Sequence, residues 1–181
     1  PMTNNYVRFW GVRGSYPAPY PTHMGFGGNT PCVEVRSDNQ VIALDAGTGI
    51  IALGNSLMAQ TEIREVHIVL THYHWDHISG VPFFVPAFVP GWTINIYGPA
   101  ETNEELAEKI SGQMKAPYFP VEVETWLADI KYHATGAQPF DVGPAQVQSF
   151  AVHHPGTTFG YRVEVDGKRI VYAPDTELSF I

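Results

Sequence analysis

Thr71-His72-Tyr73-His74-Trp75-Asp76-His77 places three imidazoles and one carboxylate within six residues, directly after the apolar run Val66-His67-Ile68-Val69-Leu70. The run reads as a buried strand, so the polar stretch falls at a strand's C-terminal end, where open sheets carry their chemistry. In extended chain, residues two apart face the same way. His72 and His74 therefore converge on one cation, while a turn into a short following helix presents Asp76 and His77 to a second. Imidazole and carboxylate together suit zinc, and also iron or manganese. The bland alternative, histidines scattered on a surface loop, is a poor match to so dense a spacing.

Three further segments end on candidate polar residues. Phe150 to Arg162 reads as a strand, a polar turn and a second strand, with His153 and His154 adjacent in the turn before Pro155-Gly156. Lys168 to Glu177 is an apolar strand ending on Asp175; Asp followed by Thr176-Glu177-Leu178 also suits a helix N-cap. Val41-Ile42-Ala43-Leu44-Asp45 is again a strand ending on an aspartate, and Gly47 and Gly49 permit a tight turn into a helix. Read alone, that Gly-x-Gly also suits a phosphate-binding turn, but no other part of a dinucleotide fingerprint accompanies it.

Together these segments resemble the metallo-β-lactamase superfamily. The resemblance implies a four-layer αββα sandwich, where periodicity alone gives only α/β or α+β. It implies His72, His74 and a strand-end histidine as one metal's ligands; His154, which precedes Pro-Gly, fits better than His153. Asp76, His77 and Asp175 would face the other metal, with Asp175 bridging the pair. Asp45 would accept a hydrogen bond from the metal-binding loop and hold its geometry. Two divalent ions are implied, zinc first, with manganese or iron as alternatives. They imply hydrolysis through a metal-bound hydroxide attacking phosphorus or a carbonyl carbon, with Asp76 orienting the water or accepting its proton. The family's last histidine ligand has no counterpart, because no histidine follows His154 and the chain ends six residues beyond Asp175 on Leu178-Ser179-Phe180-Ile181. The expectation is one domain over residues 1–181, incomplete at its C-terminal end, with a weak or empty second metal site.

The opening Val7-Arg8-Phe9-Trp10-Gly11-Val12-Arg13-Gly14-Ser15, the Gly27-Gly28-Asn29-Thr30 turn and the Leu44 to Gly49 turn resemble the ribonuclease Z and cyclic-phosphodiesterase branch. A small or cyclic phosphodiester is the substrate this implies, with Arg13, His23, His153 and Arg162 as candidate contacts. The rivals are an acyl hydrolase of lactones, thioesters or lactams using the same ions, and a regulatory or binding domain without turnover.

Composition bounds these readings. At 181 residues and 44% hydrophobic, the chain can bury one good core. Ten basic against 18 acidic residues give a net charge of −8, which argues against a broad nucleic-acid surface and for a small anionic substrate drawn by local metal charge. The single cysteine, Cys32, lies in an apolar strand and reads as a buried small hydrophobe. No apolar run approaches a membrane span, so the cytoplasm is the expected location. Residues 81–90 are apolar but carry three prolines, which excludes a regular helix or central strand and leaves core packing, a pocket wall or a homodimer contact.

The remaining pattern predicts strands at 6–10, 31–36, 40–45, 93–97, 126–133 and 145–152, and a hairpin over 158–173 turning at Asp166-Gly167. Helices are predicted near 48–59 and 103–115, the latter starting at Asn103 with Glu104 and Glu105 behind it, read as a variant of a capping box. Between the first two strands, residues 11–29 hold five glycines and three prolines and read as a long loop.

Overall fold

Short, mostly buried apolar runs between residues 5 and 135 build one large mixed sheet. The structure, a computed structural model, describes residues 5–177; the apolar Leu178 to Ile181 run lies outside them. Strands β1 (Asn5–Gly11), β2 (Cys32–Ser37) and β3 (Gln40–Leu44) form an antiparallel meander. From β3 onward the pairing is parallel through β4 (Glu65–Val69), β5 (Thr93–Pro99) and β6 (Asp129–Thr135). Parallel pairing needs crossovers, and helices α1 (Gly49–Met58) and α3 (Asn103–Ser111) supply two of them. The third crossover begins with the single-turn helix α2 (Trp75–Ile78) and continues through 3-10 turns at Val81–Phe83 and Val85–Phe88. The three prolines of residues 81–90 thus do what their geometry allows, and Val81, Phe84 and Ala87 are buried in the core.

A second sheet is an antiparallel ribbon of β7 (Phe140–Val142), β8 (Ala145–Ala151), β9 (Phe159–Val165) and β10 (Lys168–Tyr172). Between the sheets, Val33, Val35, Ile42, Leu44 and Val69 meet Val147, Tyr161 and Val163. On the other face of the large sheet, Val41, Val66, Ile68 and Ile94 pack under Ile50, Leu53 and Leu57 of α1 and Leu106 and Ile110 of α3. The described residues thus stack as a helical layer, the large sheet and the small sheet, three of the four layers of the αββα sandwich expected from the sequence. Among the described residues, no helix is long and apolar enough to cross a membrane.

Several local details differ from the sequence reading. The N-cap of α3 is Thr102, whose hydroxyl accepts from the Glu105 amide, while Glu105 Oε2 accepts from the Glu101 amide. Asn103 instead accepts from the Ala134 amide and ties the helix start to β6. The 103–115 helix closes at Ser111 into a 3-10 turn, and β7, only three residues long, gave too little alternation to read. The hairpin turn behaves as expected, with φ of +50° at Asp166 and +68° at Gly167.

Candidate metal centre

The C-terminal ends of β3 and β4 lie side by side because the strands are parallel, so Asp45 and the Thr71 to His77 loop are neighbours. Asp45, wholly buried, has φ of +63°, so the left-handed backbone of this turn falls on the aspartate rather than on the glycines after it. Those glycines serve close approach instead. A Cβ on Gly47 would sit 2.2 Å from the Asp76 carbonyl oxygen, and one on Gly80 would sit 2.1 Å from that of Gly47. Both ends of α2 are thereby pressed onto the β3 turn.

Asp45 gathers the loop around itself. It accepts from the Thr71 amide at 2.8 Å, from the Thr71 hydroxyl, from Tyr172 Oη at 3.0 Å, and pairs with His77 Nδ1 at 2.8 Å. Thr71 Oγ1 also lies 3.0 Å from His72 Nδ1. With both Nδ1 atoms occupied, His72 and His77 turn their Nε2 atoms inward, buried and without a hydrogen-bond partner among the described residues. Two orphaned imidazole nitrogens of this kind are what a metal site presents when its outer partners fix the tautomers.

The other candidates converge on these nitrogens. His154 Nε2 lies 3.1 Å from His74 Nδ1 and 3.5 Å from Asp175 Oδ2. Asp175 Oδ2 is also 3.7 Å from His72 Nε2 and 3.3 Å from His77 Nε2, within ion-pair reach though not aligned for a hydrogen bond. Asp76 Oδ2 stands 3.6 Å from His77 Nε2. Two sets result, His72, His74, His154 and Asp175, and Asp76, His77 and Asp175, each with its ligand atoms within 4.8 Å of one another. Asp175 belongs to both. No helix begins at Asp175 among the described residues, so nothing there needs it as a cap.

The electrostatics favour a cation. Burial disfavours charge on His77, but the carboxylates of Asp175 and Asp45 outweigh it and raise its pKa to about 10. Burial, and then the neighbouring His77, lowers that of His72 to about 4. Asp175 is lowered chiefly by His77. The buried Asp45 and part-buried Asp175 carboxylates favour positive charge beside them, and nitrogen and oxygen donors at this spacing suit a divalent ion. The residues present therefore fit the metal that the sequence implied.

The other sequence candidates divide. His153 is exposed, its ring reaches only Glu177, at 3.9 Å, among the described residues, and it does not join the cluster. Arg13 and His23 line an open depression in the loop between β1 and β2. Arg162 lies on the outward face of β9, beside Gln148 and Glu164, and is not brought to the histidines. The alternation Tyr161-Arg162-Val163-Glu164-Val165 explains this: Tyr161 and Val163 fill the space between the sheets, so Arg162 must point away.

Contacts the sequence reading did not find come mostly from hydroxyls and amides. Ser15 donates its amide to Asp76 Oδ2 at 2.7 Å. Tyr73 points away from the cluster to donate to the Pro99 carbonyl at 2.8 Å, with Lys109 over its ring. Tyr161 donates to the Leu70 carbonyl at 2.7 Å, just before the loop begins. Tyr161→Phe leaves that buried carbonyl without its donor and is expected to cost about 1–3 kcal/mol. Thermal denaturation should show it as a fall of about 2–4 °C per kcal/mol.

Comparison with known proteins agrees with this geometry. Ribonuclease Z of Pyrococcus furiosus is 24% identical over 159 residues, covering 86% of this chain and 46% of that protein. Among solved structures, the metallo-β-lactamase fold protein YhfI from Bacillus subtilis superposes with a TM-score of 0.67 at 21% identity, over 96% of this chain and 63% of that one. Human tRNase Z, short form, gives a TM-score of 0.58 at 22% identity, over 91% and 67%. At such identities the structural likeness speaks for the fold alone. The chain spans about half the length of the curated relatives it matches. The family model described as the beta-lactamase superfamily domain matches residues 40–179, which hold all six clustered side chains, and the chain belongs to that family.

Proposed function

We propose that this chain carries the metal centre of a metal-dependent phosphodiesterase acting on a small or cyclic phosphodiester. The observation that supports it most is the sharing of Asp175 between two ligand sets, which would set two cations side by side. His72, His74 and His154 would hold one ion, Asp76 and His77 the other, and Asp175 both. Divalent ions, zinc foremost, supply Lewis acidity to the scissile group and acidify water at neutral pH. The protein's own part is positional. Asp45, Thr71 and Tyr172 fix the imidazoles, and Asp76, steadied by the Ser15 amide, stands where it can take up a proton from water.

Phosphodiester chemistry is favoured over acyl transfer because several curated relatives matched over most of the chain are named ribonuclease Z, and a ribonuclease cleaves phosphodiesters. One scaffold hosts many reactions, so the substrate must be tested directly. Metal-replete protein should be assayed on a cyclic nucleotide, a bis-aryl phosphodiester, a lactone and a chromogenic lactam. The expected result is the highest kcat/KM on a phosphodiester. A lactone or lactam preferred by more than about tenfold, or about 1.4 kcal/mol, would overturn the reading.

A further inference from the structure

Resting on that phosphodiesterase reading and deepening it, we propose that the loop between β1 and β2 forms a pocket for the part of the substrate that does not react, namely a phosphate group attached to a flat ring. The loop borders an open depression of about 400 Å³ lined by Val12, Arg13, Thr22, His23 and Phe26. Its walls are held in place. The Val12 and Arg13 amides both donate to the Asn29 carbonyl, at 3.1 and 2.9 Å, and the Ala18 amide donates to that of Gly28 at 2.8 Å. Gly28 packs so closely on Ala18 that a Cβ would lie 2.1 Å from its carbonyl oxygen. The loop is therefore a shaped wall rather than a slack connection.

Two basic side chains face this depression in a chain of net charge −8. Neither Arg13 nor His23 lies within ion-pair distance of a carboxylate among the described residues, and Arg13 Nε is buried with no hydrogen-bond partner there. With Nε buried against the protein, the outer nitrogens of the guanidinium are the ones that can face a ligand, and their planar fork suits a phosphate. Thr22 Oγ1 lies 3.0 Å from His23 Nδ1 and can hold that ring in place.

The ring of the ligand is read from the aromatic side chains. Phe26 is 93% exposed, and Tyr16 and Tyr20 are more than half exposed, so three aromatic faces stand in water along one loop. Arg13 lies 5.4 Å from the Tyr16 ring centroid, which places cation and aromatic face together. Stacking on such faces is the usual way a flat ring is held without regard to its exact identity. The loop also touches the metal cluster, since Ser15, two residues after Arg13, donates to Asp76 Oδ2. A ligand held by Arg13 is thus on the same wall that steadies a candidate metal ligand.

The test is an NMR titration of the full chain with two probes, inorganic phosphate and phenyl phosphate. Phenyl phosphate is expected to bind more tightly, by about tenfold for one stacked ring. Arg13→Gln should weaken both probes by about tenfold or more, with Arg13→Lys weakening them less because it keeps the charge but loses the fork. Phe26→Ala should erase the preference for phenyl phosphate and leave inorganic phosphate unchanged. His72→Ala, which disrupts the metal cluster, should leave the Arg13-dependent binding in place. The pocket is refuted if neither probe binds, if Arg13→Gln binds like the parent, or if His72→Ala abolishes binding. It is equally refuted if sedimentation shows that Arg13→Gln and Phe26→Ala break a dimer instead, since the aromatic faces then cover a second copy. None of these readings involves turnover. Arg13-dependent binding by a protein that cleaves no phosphodiester would remove the proposed function and keep the pocket, whereas phosphodiester cleavage indifferent to Arg13→Gln would do the reverse.

Discussion

Asp175→Ala is expected to strip metal and hydrolysis together. Asp175 Oδ2 lies 3.3 Å from His77 Nε2, 3.5 Å from His154 Nε2 and 3.7 Å from His72 Nε2, so one carboxylate serves both ligand sets. Its removal leaves one set with three histidines and the other with Asp76 and His77 alone. Loss of an outer partner already lowers metal affinity about 10- to 100-fold, and loss of a shared direct ligand should exceed the upper figure. The fold should lose less than it would with Asp45→Ala, because Asp175 lies outside the strands and helices and its side chain is part-exposed, at 23%. Metal analysis by mass spectrometry, kcat/KM on a bis-aryl phosphodiester and thermal denaturation of the metal-free protein separate these effects. Parent-level metal content and rate in the variant would reduce Asp175 to a surface carboxylate and leave the paired-cation reading without its link.

The cluster was legible because its signal is local. Thr71 to His77 lies in one stretch, and the strand-end positions of His154 and Asp175 follow from apolar runs that stop at them. The residues alone left His153 and His154 open, and the preference for His154 came from the family resemblance; the structure sets His154 against His74 and turns His153 toward Glu177. What was not legible depends on partners far away in sequence. The hydroxyls of Tyr161 and Tyr172 find Leu70 and Asp45 across the sheet-to-sheet space, 91 and 127 residues away, and no local pattern marks a tyrosine for that use. Thr71 is different: a hydroxyl residue immediately before the first clustered histidine is a signal that could have been read. Arg162 could also have been placed, since strict alternation along β9 sends it outward whatever its charge. The one-residue shift of the α3 cap arose because Thr102 and Asn103 are both good caps, and Asn103 was claimed by the Ala134 amide.

Asp45→Ala should be the most destabilising single change in the site. Its carboxylate is fully buried and receives the Thr71 amide and hydroxyl, Tyr172 Oη and His77 Nδ1. Alanine would strand the Thr71 amide, Tyr172 Oη and His77 Nδ1 where water is scarce, and leave the Thr71 hydroxyl with His72 Nδ1 alone. Removing one partner of a buried charged network costs about 3–5 kcal/mol, a large share of the roughly 5–15 kcal/mol by which domains are stable. The backbone adds to it, because φ of +63° suits aspartate or asparagine far better than alanine. Asp45→Asn keeps the shape, the left-handed tolerance and one acceptor oxygen, so its loss should be clearly smaller than that of alanine. Urea titration at neutral pH measures both, and a lower midpoint at unchanged slope identifies a change in stability. In the alanine variant His77 also loses the contact that turns its Nε2 inward, so metal affinity should fall about 10- to 100-fold even in the folded fraction. A midpoint within about 1 kcal/mol of the parent would mean that the loop holds its shape without Asp45. The turn at the end of β3 would then be a bystander to the metal centre rather than its anchor.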